Sequence, residues 1–101
     1  MKPELISIFE AVSNASGIPI SAIRGRRRTR VCVWARFAAA VLIWERFPWW
    51  SRGQIAQAIG RTDHCTAIHA LNRAFVMCTV ESDFCKFMVR CRNKMEEAAI
   101  Q

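Results

Sequence analysis

Residues 51–79 read SRGQIAQAIGRTDHCTAIHALNRAFVMCT. Ser51 and Gln54 stand three apart, the spacing of a capping box, in which each side chain satisfies a backbone N–H at a helix start. A short helix through Ala58 follows, with Ile55, Ala56 and Ile59 facing inward. Gly60 breaks the pattern. Thr62 or Asp63 then caps a second helix, expected to run to about Thr79. Its inward stripe is Ile68, Leu71, Phe75 and Cys78; its opposite stripe is Thr62, Cys65, Thr66, His69 and Arg73. Short helix, glycine turn, longer helix is the pattern of a helix-turn-helix over about 51–79.

The flanking sequence is helical too. Pro3 suits a first helical position, Leu5, Phe9 and Val12 recur at helical spacing, and Gly17 can take a left-handed cap. Ile18, Pro19, Ile20 and Ile23 form an apolar connector with room for one short turn. RGRRRTR, residues 24–30, places five arginines in seven positions. A block of that charge stays solvated, but it abuts an apolar segment, Thr29 to Phe47, that would hold it on a rigid base. That segment is apolar on most faces, which predicts a central helix, ended by Pro48. Ser82 is placed to cap a last helix with Phe84, Met88, Cys91 and Met95 on one side. No stretch predicts a strand. The expectation is an all-α bundle of five to six helices, one domain over residues 1–101.

Composition narrows the function. Lys and Arg total 15 against 8 acids, a net charge of +7, and Lys occurs only at positions 2, 86 and 94. Arginine favours bidentate contacts with phosphate and guanine, so nucleic acid is a reasonable partner, against the plainer reading of a solvated basic surface. The five cysteines form no Cys-x-x-Cys pair, and Cys65 with His69 offers only two ligands, so no metal and no cofactor are expected; buried free thiols in a reducing cytosol are the expected explanation. Glu4 and Glu10 interrupt the start where a signal peptide would be apolar. The longest uncharged run, Phe37 to Trp44, is less than half of the ~20 residues that span a bilayer. A cytoplasmic, nucleoid-associated protein is expected, in a host cytoplasm if phage-encoded.

The polar knot at residues 61–66 gives the motif a purpose. In a helix-turn-helix the second helix enters the major groove N-terminus first. There Asp63 can accept from a cytosine amino group, His64 can donate to guanine or thymine, and Thr66 can bond a phosphate or touch a thymine methyl. The helix N-terminus itself favours phosphate. These residues resemble the C-terminal DNA-binding domain of DnaA, the bacterial replication initiator, whose signature is close to G-G-R-D-H-T-T-V-L-H-A. Gly60, Asp63, His64, Thr66, His69 and Ala70 match it; Arg26, Arg27, Arg28 and Arg30, followed by Ala35-Arg36 and Ala38 to Leu42, resemble its arginine-rich loop and following helix. The resemblance implies a Trp-repressor-like helical fold that binds double-stranded DNA. It implies Arg28 in the minor groove and base contacts from Thr62, Asp63, His64 and Cys65. Phosphate contacts fall to Arg26, Arg27, Arg30, Arg36, Ser51, Arg61, Thr66, His69 and Arg73. It departs from the family at Thr62, Cys65 and Trp34, all toward the reading end. DnaA carries an ATPase ahead of this domain, for which this chain has neither the length nor a G-x-x-x-x-G-K-[ST] motif. The expectation is a small regulator of transcription or replication, of the kind a phage or mobile element encodes.

The same residues admit other functional classes. Asp63, His64 and Cys65 contain an acid, a base and a nucleophile, but as helix neighbours they should point about 100° apart and not converge, so no enzyme is expected. Trp34, Trp44, Trp49 and Trp50 could stack on single-stranded bases, although Trp34 and Trp44 belong to the central helix and are expected in the core. The runner-up is a protein-interaction adaptor or homodimer, acting through an exposed Trp50 with Phe47 or through the Phe84–Met88–Cys91–Met95 stripe. The duplex reading requires Arg28, Arg30, Arg36 and the start of the second helix to share one face.

Overall fold

Six α-helices and no strand are present among the residues that the computed structural model describes, 2–26 and 28–100, with side chains described to residue 97. They are α1 Pro3–Ser16, α2 Ile20–Ile23, α3 Arg30–Arg46, α4 Arg52–Ala58, α5 His64–Val80 and α6 Ser82–Ile100. The all-α expectation holds.

Local chemistry sets the boundaries. Pro3 starts α1 and Gly17, at φ 74°, ends it. Thr29 caps α3, its Oγ1 accepting from the Cys32 N–H, and Phe47 closes it just before Pro48. The capping box forms in full: Ser51 Oγ accepts from Gln54 N–H at 3.2 Å, and Gln54 Oε1 accepts from Ser51 N–H at 2.9 Å. Ser82 is itself the first residue of α6, so that helix starts one residue earlier than a Ser82 cap implies.

Helix α3 is central, packing against α1, α5, α4, α2 and α6. Ala35, Ala38, Ala39 and Ala40 are fully buried along it, and such small side chains let neighbouring axes approach closely. Around them lie Phe9, Val12, Ile23, Ile43, Ile55, Ile59, Phe84 and Met88. Each large side chain contributes about 1.5–3 kcal/mol by leaving water. Trp34 and Trp44 pack against this core as expected, Trp34 edge-on to Phe84 at 5.4 Å and Trp44 edge-on to Phe75 at 5.6 Å.

Two apolar surfaces differ from expectation. The inward stripe of α5 is Ala67, Ala70, Leu71 and Ala74, whereas Ile68 and Phe75 are 39% and 44% exposed. The helix is rotated so that its alanines meet α3 and α4, and its larger residues sit at the seam. The α6 stripe of Phe84, Met88 and Cys91 is buried, with Met95 partly so, and α6 packs mainly on α1. That stripe is core and offers no face to a partner. Phe47 is buried too, with Trp50 stacked on it at 4.2 Å; of these three aromatics Trp49, 71% exposed, faces outward.

Candidate nucleic-acid interface

The turn between α4 and α5 is built by one glycine. Gly60 adopts φ 81°, a left-handed conformation that costs a side-chain-bearing residue about 1–2 kcal/mol. Its N–H donates to Gln57 O at 3.0 Å, and the next N–H, of Arg61, donates to Ala56 O at 2.7 Å. This bond pair is a Schellman cap, which satisfies the last carbonyls of α4. The backbone also passes against the end of α2: a Cβ at Gly60 would lie 2.3 Å from Arg24 O.

That close approach lets two arginines tie the helix-turn-helix to the loop ahead of α3, and a third ties the loop to α3 itself. Arg24 Nε donates to Ala58 O at 3.0 Å. Arg61 reaches back from the turn, donating through Nη2 to Gly25 O at 2.7 Å and through Nη1 to Arg24 O at 3.4 Å. From beneath, Arg36 donates through Nε to Ile23 O at 2.9 Å and through Nη2 to Gly25 O at 3.0 Å. Arg36 therefore departs from the phosphate contact expected of it. It is 7% exposed, and its guanidinium serves carbonyls left over at the end of α2. Burial holds its pKa below the ordinary arginine value, and the charges of Arg61 and Arg28 act in the same direction. Arg36, Arg61 and Arg28 thus bring positive charges near one another, a field that favours an anion.

The tied loop and the tip of α5 face each other. Arg26, Arg28, Arg61, Thr62, Asp63 and Thr66 line one open cleft of about 240 Å³. Arg28, Arg61 and Thr66 also border a second hollow, of about 470 Å³, with Arg36 and His69. Arg26, Arg28, Thr62 and Asp63 are exposed. Arg26 and Arg28 thus share a face with the helix tip, whereas Arg36 is buried and Arg30 borders neither hollow.

Asp63 caps α5, Oδ1 accepting from Cys65 N–H at 2.9 Å. The His64 ring lies between its neighbours, Nδ1 3.8 Å from Asp63 Oδ1 and Nε2 3.7 Å from Cys65 Sγ. The three side chains converge, with ligand-type atoms within 4.8 Å, where helical spacing predicts divergence. Asp63 joins the group because, as the cap, it has an extended backbone, φ −92° and ψ 121°, and its carboxylate folds over the first turn to Cys65 N–H. All three are exposed, so together they form a polar tip in front of a 17-residue helix, whose aligned peptide dipoles favour negative charge there.

The remaining expected residues divide. Ser51 caps α4 and keeps its hydroxyl proton to donate. His69 is exposed on α5, edge-on to Phe37 at 6.4 Å, and Arg73 is exposed further along. Arg30 is not brought to the cleft; its guanidinium lies 4.4 Å from the Trp34 ring centre and 3.9 Å from Glu81. Arg27 lies outside the described residues. Sequence reasoning missed Arg24 and the carbonyls of residues 22–25 as the loop's anchor, because no local pattern reveals a contact made 34 residues away.

Among the described residues no helix is long and apolar enough to cross a membrane. The pattern of the bacterial dnaA protein helix-turn-helix matches residues 6–74, from α1 into α5. No curated protein matches the chain.

Proposed function

The chain belongs to the family of bacterial DnaA helix-turn-helix domains, and from that premise we propose that it reads a specific sequence in double-stranded DNA as a small regulator of transcription or replication. Membership supports DNA binding in general; the finer reading is argued from the site. Helix α5 enters the major groove by its N-terminus, with Thr62, Asp63, His64 and Cys65 toward base edges. Arg28 enters the adjacent minor groove, and Arg26, Ser51, Thr66, His69 and Arg73 hold phosphates. Arg30 joins them when its exposed pair with Glu81 opens, since such pairs are worth at most about 1 kcal/mol.

The observation that carries this reading is the shared cleft of Arg26 and Arg28 with Thr62, Asp63 and Thr66. A reader that spans two grooves needs its loop and its helix tip on one side of the molecule. Selection of bound duplexes from a random pool tests it. Enrichment of one asymmetric site supports a monomeric reader and an inverted repeat a dimeric one. No enrichment removes the proposal and leaves a protein partner, for which Trp49 is the exposed candidate.

A further inference from the structure

We propose that Arg61 is a positioning residue, whose planar guanidinium, with that of Arg36, grips the chain at residues 22–25 and thereby sets the spacing between the loop arginines and the tip of α5. This rests on the duplex reading above, which it deepens by naming what fixes the two reading elements in register.

The Schellman cap leaves Arg61 one residue past Gly60, launched toward the end of α2. Its two terminal nitrogens then meet consecutive carbonyls, Arg24 O and Gly25 O. Gly25 O accepts from Arg36 as well, so two guanidiniums from elements 25 residues apart in sequence (61 − 36) converge on a single oxygen. A carbonyl has two lone pairs and can accept both. The convergence brings two positive charges together, an arrangement kept against their repulsion by the bonds to the loop. Arg26 follows Gly25 directly, and Arg28 borders the same two hollows as Arg61. The grip therefore lies between the reader turn and the side chain assigned to the minor groove. Lysine cannot replace it, since one ammonium offers no planar fork for two carbonyls, although it supplies the same charge to a phosphate.

That difference separates positioning from simple phosphate contact. Arg61→Lys keeps the charge, so a phosphate role predicts binding close to that of the unsubstituted protein with any flank. Positioning predicts that the preference for A·T-rich over G·C-rich flanks collapses while discrimination at the core site persists. Arg28→Ala should lower affinity for an A·T-flanked site about tenfold in the otherwise unsubstituted protein and less than about threefold in an Arg61→Lys background, because coupled residues are not additive. A second reading needs no DNA. Trypsin cleavage within residues 24–28, measured relative to cleavage at Arg90 in α6, should rise several-fold in Arg61→Lys. Global unfolding raises both rates alike, so the ratio isolates release of the loop. An unchanged ratio, or Arg28 and Arg61 effects that simply multiply, overturns the proposal. Failure of the unsubstituted protein to bind any duplex overturns the DNA reading, while the cleavage ratio still decides the grip.

Discussion

Two glycines in the same backbone region provide an internal control for the reader turn. Gly17 has φ 74° and Gly60 φ 81°, so Cβ addition carries a similar conformational cost at both. That cost is about 1–2 kcal/mol, partly offset by the 0.4–1 kcal/mol that alanine gains by restricting the unfolded chain. Their surroundings differ. A Cβ at Gly17 meets nothing within 4 Å, whereas at Gly60 it lies 2.3 Å from Arg24 O and 3.2 Å from Arg24 C. Relieving that overlap requires roughly 1 Å of backbone movement, and overpacking of this kind costs about 1–3 kcal/mol. The displaced carbonyl also accepts from Arg61, and the adjacent one from Arg61 and Arg36; weakening bonds to charged donors adds about 1.5–3 kcal/mol. Gly17→Ala should therefore lose about 1 kcal/mol and Gly60→Ala at least about 3 kcal/mol, a gap of roughly 10 °C or more in Tm for a chain of this size. Urea titration followed by tryptophan fluorescence measures both. Losses equal within about 0.5 kcal/mol would refute the reasoning, because they would mean that the turn does not press on the end of α2.

Further expectations concern binding and the thiols. Duplex affinity should fall steeply with salt: neutralising ~6 phosphates gives a log–log slope of about −5, read by titration at several ionic strengths. His64→Ala should cost about 1–3 kcal/mol on the preferred site and little on random duplex, as competition binding would show. Cys65 is exposed while Cys32 and Cys91 are buried, so a thiol reagent should modify Cys65 first, and bound duplex should slow that reaction several-fold. Burial pushes the Cys91 thiol from 9.0 up to about 12, so the unfolded chain ionises before the folded one. Its contribution to stability is full below pH 9 and is lost as pH rises toward 12; Cys91→Ala should flatten that decline in urea titrations.

Much of the fold was legible because its punctuation is local. The Ser51–Gln54 box, the helix end at Gly60 and the Asp63 cap are each signalled within about five residues, so the helix-turn-helix follows from spacing. The facing of α5 was not. Hydrophobicity ranks Ile68 and Phe75 above Ala67, Ala70 and Ala74, but close approach of α3 and α4 selects the smaller side chains. The site divides in the same way. The cleft joins the arginine loop to the knot at 61–66, both visible as charge and polarity in sequence. Arg36, by contrast, reads as a surface cation in sequence, because an arginine inside an apolar helix gives no local sign of carbonyls waiting 13 residues upstream.

Helix α6 lies beyond the stretch shared with the DnaA family, and it has a structural job of its own. Phe84, Met88 and Cys91 fill the space beside α1, and Trp34 leans on Phe84 and Phe87. A boundary drawn by homology is therefore not a boundary for autonomous folding. A fragment ending at residue 74 would bare the flank of α1 and strip Trp34 of its aromatic neighbours, turning interior into sticky surface. Anyone excising the helix-turn-helix domain should carry the chain through Met95.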